Sequence, residues 1–145
     1  MIRSLGRVGG GLILLAVLWS AGLVRADQLQ PFVSDGCSLF PDGLPGQPEL
    51  WRSCCVDHDR AYWKGGTRRQ RRAADKELGE CVAALGAPKV AAAMTVGVRL
   101  GGTPYLPVPF RWGFGWSYPR GYGPLSEAEQ KQVAKRLAEE GLSGK

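Results

Sequence analysis

WRSCCVDHDRAYWKGG, residues 51–66, holds two adjacent cysteines, the single histidine of the chain and an aspartate on either side of that histidine. Pro48 just ahead of it suits the first turn of a helix, and Gly65-Gly66 suits its end. The stretch therefore predicts a helix over 48–64. At about 100° per residue, Trp51, Cys54, Cys55, Ala61 and Tyr62 all fall within about 60° of His58, and Asp59 lies about 100° round. His58 thus sits in the middle of a buried stripe, with one carboxylate at its edge. An isolated buried histidine is ordinarily satisfied by a backbone carbonyl, so the neighbouring segments decide whether this one does chemistry.

The next segment supplies a candidate partner. Thr67 with Gln70 forms a capping box, and a second helix is expected from there to about Leu85, ending near Gly86 and Pro88. A linker this short makes the two helices antiparallel. The chain has four cysteines, Cys37, Cys54, Cys55 and Cys81. An even count in a small exported domain implies two disulfides. Adjacent cysteines bond to each other only under strain, so Cys54 and Cys55 each take one of Cys37 and Cys81. A zinc site is the weaker alternative, since no C-x-x-C pair is present. If Cys54 is bonded to Cys81, His58 lies about 6 Å further along the first helix and Asp75 about 9 Å back along the second, at roughly one level. A carboxylate there would fix the tautomer and orientation of the imidazole. The other reading of Asp75 is an exposed carboxylate among Arg68, Arg69, Arg71 and Arg72, themselves read as a solvated helix start.

A secreted setting is expected from the N-terminus. Arg3 and Arg7 precede an apolar run from Gly11 to Val24, followed by Val24-Arg25-Ala26. This is the layout of a signal peptide, with cleavage after Ala26. The run is short for a membrane span of about 20 residues, though an uncleaved anchor is the alternative. The expected organisation is a signal peptide over 1–26 and one domain over 27–145, secreted or periplasmic. Without Arg3, Arg7 and Arg25 the net charge drops from +6 to +3. That excess suits an anionic membrane surface and gives little support to nucleic-acid binding.

A lone His–Asp pair lacks a nucleophile. No G-x-S-x-G is present and the cysteines are committed, so water activated by His58 is the natural one. Asp59 is placed to ligate a hard cation. The Pro/Gly-rich loop over 30–47 offers Asp35, Asp42 and carbonyls, an oxygen set that selects calcium; Asp42, ahead of Gly43, is read as a turn former.

The run CCVDHDRAY, residues 54–62, resembles the phospholipase A2 superfamily, whose first catalytic helix carries C-C-x-x-H-D-x-C-Y. DKELGEC, residues 75–81, matches that family's second aspartate, six residues before a cysteine. The resemblance spans roughly 34–82. It implies disulfides Cys54–Cys81 and Cys37–Cys55, a catalytic set of His58 oriented by Tyr62 and Asp75, and calcium on Asp59. Ala61 and Ala74 stand where the family has a bonded cysteine pair. The loop reads CSLFPDG rather than the glycine-rich C-G-x-G-G of the animal enzymes. It is closer to the bacterial and fungal branch, in which an aspartate two residues before the loop cysteine helps hold the metal. On that pattern Asp35, the Gly36 carbonyl and Ser38 complete the site. The expected fold is mainly α, with a core over 34–86 and a C-terminal extension over 88–145. The implied activity is calcium-dependent hydrolysis of the sn-2 ester of glycerophospholipids at a membrane or micelle surface. The rival is a non-catalytic membrane- or protein-binding module, which has no need of His58, Asp59 and Asp75 together.

Residues after Pro88 lie outside the resemblance. KVAAAMTVGVRL suggests a short third helix. Phe110, Trp112, Phe114, Trp116 and Tyr118 alternate with small or basic residues, which is strand periodicity. Such a strand would cover the helix pair, or Trp112, Trp116 and Arg111 would face a lipid interface. Ser126 with Glu129 caps a terminal helix that Gly141 ends.

Overall fold

In a computed structural model, residues 27–141 are described. The segment read as a signal peptide, residues 1–26, lies outside them. The chain is mainly helical: α1 spans Arg52–Lys64, α2 Arg68–Ala84, α3 Pro88–Gly101 and α4 Glu127–Glu139. No strand occurs among the described residues.

Local chemistry accounts for most of these boundaries. The expected capping boxes Thr67–Gln70 and Ser126–Glu129 are both formed, each satisfying two amides that a helix start leaves without partners. Pro88 occupies the first turn of α3, where its missing N–H costs nothing. Gly65, at φ 69°, ends α1. Two disulfides, Cys37–Cys55 and Cys54–Cys81, clamp the loop to α1 and the start of α1 to the end of α2.

Two expectations are corrected. The first helix begins at Arg52 rather than Pro48. Trp51 is buried, its indole donates to the Pro41 carbonyl at 2.6 Å and its amide to the Asp42 carbonyl at 3.0 Å. These bonds hold residues 48–51 in turns against the preceding loop. The aromatic run 110–118 is not a strand. Its donors go instead to the C-terminal end of α1, whose last carbonyls have no partner within the helix. Gly113 N–H donates to Tyr62 O at 2.6 Å and Gly115 N–H to Trp63 O at 3.2 Å. The indole of Trp116 donates to Lys64 O at 2.7 Å and that of Trp112 to Gly66 O at 2.8 Å. The segment is a cap on α1 built from far along the chain.

Three hydrophobic clusters result. One lies between α1, α2 and α3 and contains Trp51, both disulfides' α1 cysteines, Leu78, Val82 and Met94. A second joins Trp63 to Leu29, Trp116 and Val133 of α4. The third is small: Tyr62, Ala74 and Trp112. Trp112 and Trp116 are each 1 % exposed and Arg111 is buried, donating to the Gly113 and Trp116 carbonyls. None of the three faces solvent, so the interfacial reading of these residues is withdrawn. Each buried tryptophan fills core next to α1, as the alternative reading of the segment had it, though without a strand.

Candidate active site

α1 and α2 bring His58 and Asp75 together. His58 Nε2 lies 3.2 Å from Asp75 Oδ1, and both side chains are buried. Tyr62, one turn beyond His58, donates its hydroxyl to the same oxygen at 2.6 Å, and its ring lies 4.2 Å from the imidazole, centroid to centroid. Asp75 therefore accepts from two groups on α1. With an acceptor on Nε2, the neutral form of the ring carries its proton there and has its lone pair on Nδ1. Among the described residues no side chain hydrogen-bonds Nδ1. Burial, then the hydrogen bond to Asp75, raise the Tyr62 phenol above its usual range, so it stays a neutral donor.

Asp59 stands beside this unit. Its Oδ2 accepts from Ser34 Oγ at 2.6 Å. Burial lifts its carboxyl from 3.8 to about 6; the Ser34 bond and His58 oppose the rise, while the Asp35 and Asp42 carboxylates add to it. Burial is thus the main cause, and Asp35 and Asp42 add to it although Asp42 is itself paired with Arg52; a cation beside Asp59 would offset the cost of its buried charge. Ser34, Asp35, Ser38 and Asp59 line one cavity of about 290 Å³. Asp35 Oδ1 accepts from Ser38 Oγ at 2.8 Å. Among the described residues no group of three or more His, Cys, Asp or Glu side chains is arranged to hold a metal. A cation here would take Asp59 and loop oxygens, a donor set suited to a hard ion.

The loop is shaped by Asp42, which acts structurally, in keeping with its reading as a turn former. It accepts from Cys37 N–H at 2.7 Å and pairs with Arg52 at 3.5 Å. Gly36 adopts φ 86°, and a Cβ there would lie 2.4 Å from the Asp42 carboxylate, so only glycine lets the loop close.

Asp59 also lines a second cavity, of about 270 Å³. His58 and Asp59 form its polar wall; Phe40, Leu78, Met94 and Phe110 are among the apolar remainder. The neighbouring Leu39 is 91 % exposed. The imidazole and a candidate cation ligand therefore share the wall of an apolar pocket.

The sequence reading missed Arg71 and Ser34. Arg71 was grouped with a solvated arginine run, yet it is buried. It lies on the stripe Arg71, Ala74, Asp75, Leu78 and Val82, all buried in α2. That i, i+3, i+4, i+7 spacing is present in the sequence and was the signal to follow. Ser34 had no comparable mark. No match to the chain is found among protein-family models, curated proteins or solved structures.

Proposed function

We propose that the protein is a secreted, calcium-dependent hydrolase of the phospholipase A2 type, acting on the sn-2 ester of glycerophospholipids at a membrane or micelle surface. The observation that carries the reading is the His58–Asp75–Tyr62 unit opening, beside Asp59, onto an apolar cavity. The disulfide-clamped helix pair and the spacing of CCVDHDRAY support the same assignment.

Asp75 holds the proton on Nε2, and Nδ1 takes one from a water that attacks the ester carbonyl. Tyr62 keeps Asp75 in place. The protonated imidazole then returns its proton to the leaving alkoxide, giving a fatty acid and a lysophospholipid. Asp59, with Asp35, the Gly36 carbonyl and Ser38 from the loop, would hold calcium, which when bound supplies a Lewis acid for the lipid phosphate and the ester carbonyl oxygen. In the loop, Gly36 N–H is taken by Ser34 Oγ and Cys37 N–H by Asp42, while Ser38 N–H has no acceptor among the described residues. That amide is a free donor for an oxyanion, as is the Leu39 N–H beside it. The apolar wall suits an acyl chain.

The test is fatty-acid release from mixed phospholipid vesicles, with calcium or with chelator. His58→Gln should lower the rate about 10²- to 10⁴-fold. Wild-type turnover by that variant, or no release by the wild type under any calcium condition, would exclude the proposal.

A further inference from the structure

Arg71 makes contacts that neither a solvated arginine nor a simple surface ion pair would make. Its Nε donates to the Tyr62 hydroxyl at 3.0 Å, one terminal nitrogen to the Tyr122 hydroxyl at 2.6 Å, and the other to the Val98 and Arg99 carbonyls at 2.8 and 2.9 Å. No carboxylate pairs with it among the described residues. One guanidinium thus joins α1, the C-terminal end of α3 and the segment between α3 and α4, around the tyrosine that contacts Asp75.

The Tyr62 hydroxyl has two acceptors within reach, Asp75 Oδ1 at 2.6 Å and the Val98 carbonyl at 3.3 Å. Arg71 acts on both choices. By donating into the hydroxyl oxygen it fills a lone pair there and leaves the phenolic proton to be given away. By binding the Val98 carbonyl at 2.8 Å, which already accepts from Gly102 N–H at 2.9 Å, it fills the second lone pair of the competing acceptor. We infer that Arg71 is a positioning residue: it directs the Tyr62 proton onto Asp75, so that the carboxylate, an acceptor in any case, is held facing His58 Nε2 and Nδ1 stays bare. Through Tyr122 the same guanidinium makes the C-terminal segment part of the catalytic assembly. The assignment rests on the general-base reading of His58, but its direct consequence, the tautomer of one imidazole, exists without substrate.

The chain has a single histidine, so its two ring nitrogens are read without overlap in a ¹⁵N-labelled sample of the oxidised protein at about pH 8, where an ordinary imidazole is neutral. The wild type should show one tautomer, protonated at Nε2. In Arg71→Met, with both disulfides intact and a native near-ultraviolet spectrum, the other tautomer should become visible. On vesicles kcat should fall about 10²-fold, the scale of a small misplacement of a reacting group, with KM little changed. Arg71→Lys, which keeps the charge but cannot reach Tyr62 and Val98 together, should show the second tautomer at a lower level; this variant decides the matter if Arg71→Met fails to fold. Arg72→Met, which removes a neighbouring exposed cation, should leave the spectrum unchanged. A folded Arg71 variant with the wild-type tautomer, or an Arg72→Met spectrum altered as in Arg71→Met, overturns the assignment. An absence of fatty-acid release by the wild type overturns the phospholipase reading instead and leaves the tautomer result to stand or fall alone.

Discussion

Asp59→Asn should make the protein more stable while removing its response to calcium. Burial and the nearby carboxylates lift the Asp59 carboxyl from 3.8 to about 6. A raised acid favours the fold in its protonated form. Between those two values the native state holds a proton that the unfolded chain has released, so stability falls as pH rises through the window and the full cost is present above it. A rise of that size corresponds to about 3 kcal/mol. Asp59 is only partly buried, and screening by solvent reduces the working value to about 1.5 kcal/mol. Asparagine keeps the acceptor for Ser34 Oγ and removes the charge. In chelator at pH 7 the variant should therefore melt about 6 °C higher than the wild type, at roughly 4 °C per kcal/mol. At pH 4 the gap should close. Calcium should reverse the order: at 100 times its Kd it stabilises the wild type by about 2.7 kcal/mol and leaves Asp59→Asn unmoved. Below about pH 6 the proton competes for the same oxygens, and apparent calcium affinity should drop about tenfold per pH unit. Thermal unfolding followed by circular dichroism from pH 4 to 8, with calcium or with chelator, measures each of these. The reasoning fails if Asp59→Asn is less stable than the wild type in chelator at pH 7, or if both proteins gain equally from calcium.

Gly102 lies directly behind Tyr62: a Cβ there would sit 2.4 Å from the ring and 2.7 Å from its hydroxyl oxygen. Gly102→Ala should cost about 1–3 kcal/mol in urea unfolding and lower kcat by displacing Tyr62. Trp112→Ala and Trp116→Ala should each cost about 3–5 kcal/mol, because both rings are core; a vesicle-binding defect in a variant of unchanged stability would contradict their placement. Gly97 lines the apolar cavity and has nothing within 4 Å of an added Cβ. Gly97→Ala should stabilise α3 by about 0.5–1 kcal/mol, whereas Gly97→Phe should raise KM selectively for long acyl chains by filling the pocket, as a chain-length series would show.

The sequence alone located α2 and α4, since a capping box is made by residues three apart and needs no partner elsewhere. It also placed His58 level with Asp75, because helical rise and a short linker are local properties once two cysteines are joined. The start of α1 was not legible: Pro48 has the right chemistry for a first turn, but the buried Trp51 is tied by two hydrogen bonds to residues 41 and 42. The aromatic run 110–118 has strand periodicity, yet its donors meet the partnerless carbonyls of a helix end about fifty residues earlier. Only the tertiary structure determines where such donors go, and the same holds for Arg71. Its place on the buried stripe could be counted from the sequence. Its partners Tyr122, Val98 and Arg99 come together only when three separated segments meet around one guanidinium, because a buried charge must find its hydrogen bonds wherever the fold supplies them.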